Sequence, residues 1–301
     1  MFIIRHKKIF IGLSVIMVAL SFVALFVFGL QVGIDFKGGA LAQVVYKDAR
    51  PAQADLRGPL DGLNFGSILL QPTGDLGYIV KTRHLTDAEH AELLNALSQG
   101  KADSLTEQSF NSIGPSVGLE LTRKAILAVI LISIAIICFI AFAFRKVSKP
   151  VSSWKYGLIA IVTLLHDVAI PVGLFVLLSH FYGAELDSLF VVAVLTILGL
   201  SVSDTIVIFD RIRENLRHQA SVTKMNFSEV VGKSLEQSFV RSIGTSLTVI
   251  LVLLALFFFG PVTTKYFALM LTAGMFFGTY SSIFLASPLL VLVGERQSKK
   301  K

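Results

Sequence analysis

Asp204 is the residue most at odds with its neighbours. It lies in the run Leu198-Gly199-Leu200-Ser201-Val202-Ser203-Asp204-Thr205-Ile206-Val207-Ile208-Phe209, which is otherwise apolar, small or hydroxylic. The charged end of that run, Asp210-Arg211, begins about six residues, or roughly 9 Å, further along a helix. An acid so placed can take up a proton, because a low dielectric disfavours its charged form, or it can pair with a cation. A helix-end acid that only reaches for the headgroups is the plainer alternative, but an aspartate is short and snorkels poorly. The candidate cation is Arg241, which opens the next apolar run. Arg241, Thr245 and Thr248 follow an i, i+4, i+7 spacing, so a helix puts them on one face. Two consecutive antiparallel spans would bring Arg241 and Asp204 to similar depth. A pair that opens when Asp204 takes a proton is a two-state switch. In the competing reading Arg241 only anchors its helix.

A second polar pair, His166-Asp167, falls about ten residues into another apolar run, near mid-bilayer. Neighbours on a helix point about 100° apart, so the two are expected to make separate contacts. They read as structural support, satisfied by hydroxyls on adjacent helices, in preference to the alternative of direct proton transfer, with Ser201, Thr245 and Thr248 as further polar members. Gly199 and Ser203, and Gly274, Gly278 and Ser281 or Ser282, form small-xxx-small stripes that let helices approach closely.

The elements that must position these groups are membrane spans. The 301 residues are 54% hydrophobic and only 16% charged, against about 25% charged in an ordinary soluble domain. Apolar runs at 9–30, 125–144, 157–179, 189–209, 242–260 and 266–294 are each long enough to cross a hydrocarbon core about 30 Å thick. The first is too long for a signal h-region and no small-x-small site closes it, so it reads as an uncleaved span. Pro288 predicts a kink or tilt in the last. Arg5, Lys7 and Lys8, the 145–156 connection, the 210–241 segment and the basic tail at 295–301 hold most of the Lys and Arg outside residues 31–124. The positive-inside rule therefore puts both termini in the cytoplasm. The net charge of +7 follows from the same asymmetry and does not call for nucleic acid.

Residues 31–124 form the one large extramembrane segment and translocate to the periplasm in this scheme. Strands are expected near 40–46, 67–71, 76–82 and 107–113, with helices near 52–63 and 86–99, the second opened by the capping box Thr86-Asp87-Ala88-Glu89. The β-α-β-β-α-β order predicts a small ferredoxin-like α+β domain. Residues 125–294 then carry spans two to six, with a cytoplasmic loop near 210–240 whose part from Phe227 to Phe239 reads as a short amphipathic helix on the membrane surface.

Cys138 is the single cysteine, so neither an internal disulfide nor a thiolate metal cluster can form. The sequence has no G-x-x-x-x-G-K-[ST], H-E-x-x-H or G-x-S-x-G motif. An enzyme, a resident metal and a cofactor are not expected, and any work would draw on an ion gradient or a partner. One charge crossing 100 mV releases about 2.3 kcal/mol. A full ion gradient can thus supply roughly 3–5 kcal/mol per ion, and inverting a two-state equilibrium from 1:99 to 99:1 takes about 5.5 kcal/mol, so one or two ions per cycle are the right scale. A buried carboxylate serves H⁺ or Na⁺ equally.

Four stretches carry a family resemblance: Gly33-Ile34-Asp35-Phe36-Lys37-Gly38-Gly39 after the first span, Ser112-Ile113-Gly114-Pro115-Ser116-Val117-Gly118 before the second, Leu165-His166-Asp167-Val168, and Ser203-Asp204-Thr205-Ile206-Val207-Ile208-Phe209-Asp210-Arg211-Ile212-Arg213-Glu214-Asn215. Together they resemble the SecD/SecF family of protein-export accessory subunits, on its smaller SecF side, within the RND superfamily. The resemblance implies a bacterial inner-membrane subunit that pairs with SecD and associates with the SecYEG channel and YajC. It implies use of the proton-motive force on a translocating preprotein, while SecA drives the ATP-dependent step. It also implies a proton path through Asp204 and Arg241, with Asp210 either part of its entry or helix-end structure, and domain-exit roles for Gly33, Asp35, Phe36, Gly38, Gly39, Gly114, Pro115 and Gly118. Half of an RND-type small-molecule or lipid exporter, and a scaffold with purely structural polar groups, are the competing functions.

Overall fold

The computed structural model describes residues 2–101, 103–143, 151–222 and 225–298. Its chain divides into two compact units, residues 1–31 with 128–301, and residues 32–127.

Among the described residues six helices are long and apolar enough to cross a membrane: Lys7–Phe28, Pro115–Ala143, Trp154–Tyr182, Ser188–His218, Phe227–Phe259 and Val262–Gln297. They are called the first to sixth spans below. The third, fourth and sixth spans are the most enclosed, and the first and second spans keep most of their apolar surface outward. In the sixth span Ser282–Ala286 wind as a π turn just before Pro288. Pro288 lacks the N–H of a regular ladder, and a π turn absorbs that defect inside a continuous rod. Gly274 and Gly278 let the sixth span close on the fourth: a Cβ at Gly274 would collide with Ile197, and one at Gly278 would sit 3.3 Å from the Ser201 Cβ.

The segment expected as a cytoplasmic loop near 210–240 is mostly helix. The fourth helix continues to Val222 and the fifth starts at Phe227. The expected surface helix from Phe227 to Phe239 is therefore the leading part of the fifth helix, and it buries Val230, Val231, Ser234, Leu235 and Ser238. Hydropathy falls where the bilayer ends, but helix propensity does not. Asn226 and Glu229 cap the start reciprocally. The connection at 144–150 and the tail at 299–301 lie outside the described residues.

The unit from Val32 to Leu127 holds strands β1 (Gly39–Tyr46), β2 (Leu69–Thr73), β3 (Gly77–Thr82) and β4 (Leu105–Ile113), with helices Gln53–Asp61 and Asp87–Ser98 between them. The four strands form one antiparallel sheet in the order β2-β3-β1-β4. This is the expected ferredoxin-like arrangement. Val44, Val80, Leu56, Leu60, Leu93 and Leu97 make its core. The Thr86–Glu89 capping box is present.

Candidate proton site in the helix bundle

Asp204 is half-buried in the fourth span, and its Oδ1 accepts a hydrogen bond from Ser242 of the fifth span at 2.8 Å. Its Oδ2 is shielded and meets no hydrogen-bond partner among the described residues. The expected ion pair with Arg241 is not formed, and that expectation is corrected. Ser242, one residue and about 100° around the helix, takes the inward position. Arg241, Thr245 and Thr248 do share a face, as their spacing requires, but that face is exposed on this chain. Thr248 spends its hydroxyl on the Thr245 carbonyl at 2.7 Å. Arg241 stays near enough to act on Asp204 electrostatically. Together with Asp210, Arg211, Glu214, Gln237 and Ser238, and with Ile206 and Val207, it lines a cleft of about 350 Å³ between the fourth and fifth spans. Asp210 in that cleft pairs with Arg213.

The inward face of the fifth helix is a serine stripe that spacing alone could have revealed. Ser234, Ser238, Ser242 and Ser246 recur every fourth residue and are all buried. Ser246 bonds Thr279 of the sixth span, and Thr205 bonds Ser282 at 2.9 Å, at the start of the π turn.

Asp167 forms the other half of the site. It is fully buried, and its Oδ2 accepts from Ser201 of the fourth span and from Ser281 of the sixth, the latter at 2.7 Å. Its Oδ1 lies 2.9 Å from His166 Nδ1. The reading that His166 and Asp167 make no common contact is therefore corrected. The 100° describes the directions in which neighbouring side chains leave the backbone, and it does not stop their polar ends from meeting. Three spans thus converge on Asp167, and it acts electrostatically on Asp204.

The two glycine motifs meet each other within residues 32–127. Gly33 precedes the short helix Ile34–Lys37, and Phe36 is buried behind it. Gly38 and Gly39 take φ of +78° and +143°, values that favour glycine. A Cβ on Gly38 would stand 3.0 Å from the Pro115 Cα, and one on Gly118 would stand 2.9 Å from the Gly38 nitrogen. Asp35 lies on the same short helix, and Gly114 leads directly into Pro115.

Six membrane-spanning helices with carboxylates at Asp167 and Asp204, joined to a ferredoxin-like domain, define a polytopic α-helical membrane protein. A model of the family described as "Protein export membrane protein SecD/SecF, C-terminal" matches residues 93–296. The chain is 41% identical to the protein translocase subunit SecF of Thermobaculum terrenum, over 96% of this chain and 92% of that one. It is 35% identical to the SecF of Anaerolinea thermophila, over 96% and 93%. The crystal structure of SecDF from Thermus thermophilus, described as a translocon-associated membrane protein, superposes with a TM-score of 0.80 at 29% identity, over 99% of this chain and 38% of that chain. SecDF in a super-membrane-facing form gives 0.66 at 32% identity, over 98% and 39%. The chain belongs to the SecF protein translocase subunit family.

Proposed function

We propose that this chain pairs with SecD in the bacterial inner membrane and uses the proton-motive force to promote preprotein translocation and release. The pair would act beside the SecYEG channel, with YajC, while SecA supplies the ATP-driven step. In this reading the termini are cytoplasmic and residues 31–124 are periplasmic. The observation that carries it is the half-buried Asp204 carboxylate, with one oxygen unpartnered among the described residues, two residues before the start of a cleft that Arg241 and Asp210 line. An ionisable group within a span is rare and is usually there for function. Protonation removes its attraction to Arg241 and changes its bond to Ser242, so the packing of the fourth and fifth spans has two electrostatic states. A SecDF structure spanning more than twice this chain supports a SecD partner.

The test is a reconstituted complex with SecD carrying Asp204→Asn or Arg241→Met. Each variant is expected to assemble normally and to lose stimulation of preprotein export by an imposed proton gradient. Full stimulation in either would remove that residue from the path.

A further inference from the structure

The sheet of residues 32–127 has two outer strands, and their free edges are finished differently. β2, at one side, has five residues. Pro72 within it carries no N–H, and the Gln53 side-chain amide donates to the Leu70 carbonyl at 3.1 Å. Short length, a proline and a covering side chain all keep a sheet edge from pairing further. β4, at the other side, has nine residues and contains no proline, glycine or lysine. Its backbone pairs with β1. Among the described residues no hydrogen bond reaches its main chain from the outer side.

One irregularity interrupts β4. Gln43 pairs with Ser109 and Val44 with Glu107, so Gln108 is an extra residue. Its side chain accepts from Gln43 Nε2 at 2.6 Å. A bulge can itself guard an edge, but this one leaves Ser109–Ile113 in unbroken register with Gly39–Gln43. That stretch is braced from the helix side. His90 of the Asp87–Ser98 helix places Nε2 2.8 Å from Glu107 Oε1, and its ring stacks on Phe110 at 3.6 Å. The Ser112 hydroxyl accepts from the Leu85 N–H at 3.1 Å. With Phe110 and Ser112 turned toward the helices, Ser109 and Asn111 alternate to the open face. The edge is therefore ordered in advance, which lowers the cost of binding, and its open-face groups are small and uncharged.

We infer that the outer edge of β4, from Ser109 to Ile113, takes an extended segment of a translocating polypeptide as an added strand, an inference that rests on the export reading. A row of unpaired N–H and C=O groups fits one class of partner, another extended backbone. Such pairing draws its affinity from the main chain, so it tolerates varied sequences, as the export of many different proteins requires. Its few bonds make it reversible, which suits a moving chain. A permanent seat for SecD calls for apolar surface, since obligate interfaces are the more hydrophobic ones, and Ser109 and Asn111 are polar.

The test uses the complex with SecD and SecYEG in liposomes, with export of a test preprotein halted by a folded domain at its C-terminal end. Asn111→Cys is introduced in a Cys138→Ser background, and a single cysteine is moved residue by residue along the halted preprotein. A strand shows alternate side chains on one face, so disulfide yield is expected to peak at every second position. Ser109→Lys, a charge of the kind that guards natural edges, is expected to abolish those peaks. Flat yield or no adduct, in a complex whose export still responds to the proton gradient, overturns the added strand and leaves the export reading standing. Hydrogen exchange of the Ser109–Ile113 amides that is slowed by SecD alone assigns the edge to SecD and also overturns it. An unmutated complex that neither responds to the gradient nor yields an adduct overturns both. If Ser109→Lys fails to assemble, the Asn111→Cys pattern decides by itself, because Asn111 is exposed.

Discussion

Inside residues 32–127 the core is Val44, Val80, Leu56, Leu60, Leu93 and Leu97, and the hydroxyl of Tyr46 is bonded to the Leu97 carbonyl at 2.9 Å. Inside the helical unit the buried set includes Asp167, His166, Ser201, Thr205, Ser242, Ser246, Ser281 and Ser282. The domain hides hydrocarbon from water. The helices already face hydrocarbon on the outside, so apolar burial gives them no net drive, and packing and hydrogen bonds must hold them. Apolar truncation should therefore dominate in one unit and polar truncation in the other.

The largest effect belongs to the domain. Leu97→Ala or Leu60→Ala should cost about 2–5 kcal/mol, a large part of what holds a domain this small. Limited proteolysis of the full chain should show cleavage within residues 32–127 at lower denaturant than in the unmutated protein. A shift no larger than that of an exposed substitution would break the comparison from the domain side.

In the bundle, Ser281→Ala removes one of the two hydroxyl donors to Asp167 Oδ2 and should cost about 1–3 kcal/mol. Thr248→Ala, on the exposed face of the fifth span, should stay within about 0.5 kcal/mol. Thermal unfolding in lipid nanodiscs measures both. Equal shifts would mean that the enclosed hydroxyls are packing groups only.

These two substitutions also mark what could be read in advance. Thr248 was legible as one member of a helical stripe, and so was the alignment of Arg241 with Thr245, because 3.6-residue periodicity is a local property. Which stripe turns inward is not local. It depends on neighbours elsewhere in the chain, and here the Ser234–Ser246 stripe won. The spans themselves, the β-α-β-β-α-β order and the Thr86–Glu89 box were legible because hydropathy, alternation and capping are written within a few residues. The stretch from Asp210 to Val222 reads as loop in the sequence but is helix, for the opposite reason: hydropathy reports the solvent and is silent about the backbone. The His166–Asp167 bond depends on side-chain rotamers, which no spacing rule contains.

Within the domain, Tyr46 gives a smaller effect and a pH signature. Burial, with a further contribution from neighbouring Tyr78, pushes its hydroxyl up from 10.0 to about 12. A raised value means the folded state resists ionisation, so this contribution is intact below pH 10 and is lost as pH rises toward about 12. Tyr46→Phe should cost about 0.5–1.5 kcal/mol at neutral pH and should flatten the alkaline decline. An unchanged decline would assign it to other groups.

The smallest effect sits at the domain surface and has the opposite sign in pH. Glu89 caps the Asp87–Ser98 helix and bonds Arg83 at 2.5 Å. The Arg83 hydrogen bond, followed by those from Thr86, lowers its carboxyl from 4.5 to about 2. A lowered value means the stabilisation is complete above about pH 4.5 and disappears as pH falls toward 2. The pair is exposed and screened by salt, so the change is modest and should shrink further at high ionic strength. Glu89→Gln keeps a capping residue at the same position but loses the charge, so its acid decline should be flatter than that of the unmutated protein. Hydrogen exchange of the Asp87–Ser98 amides between pH 5 and pH 2, corrected for intrinsic rates, reads this directly. Identical profiles for the two proteins would show that the cap is held by its backbone bonds alone, and that the surface charge of the domain, unlike the buried charge of the bundle, carries nothing.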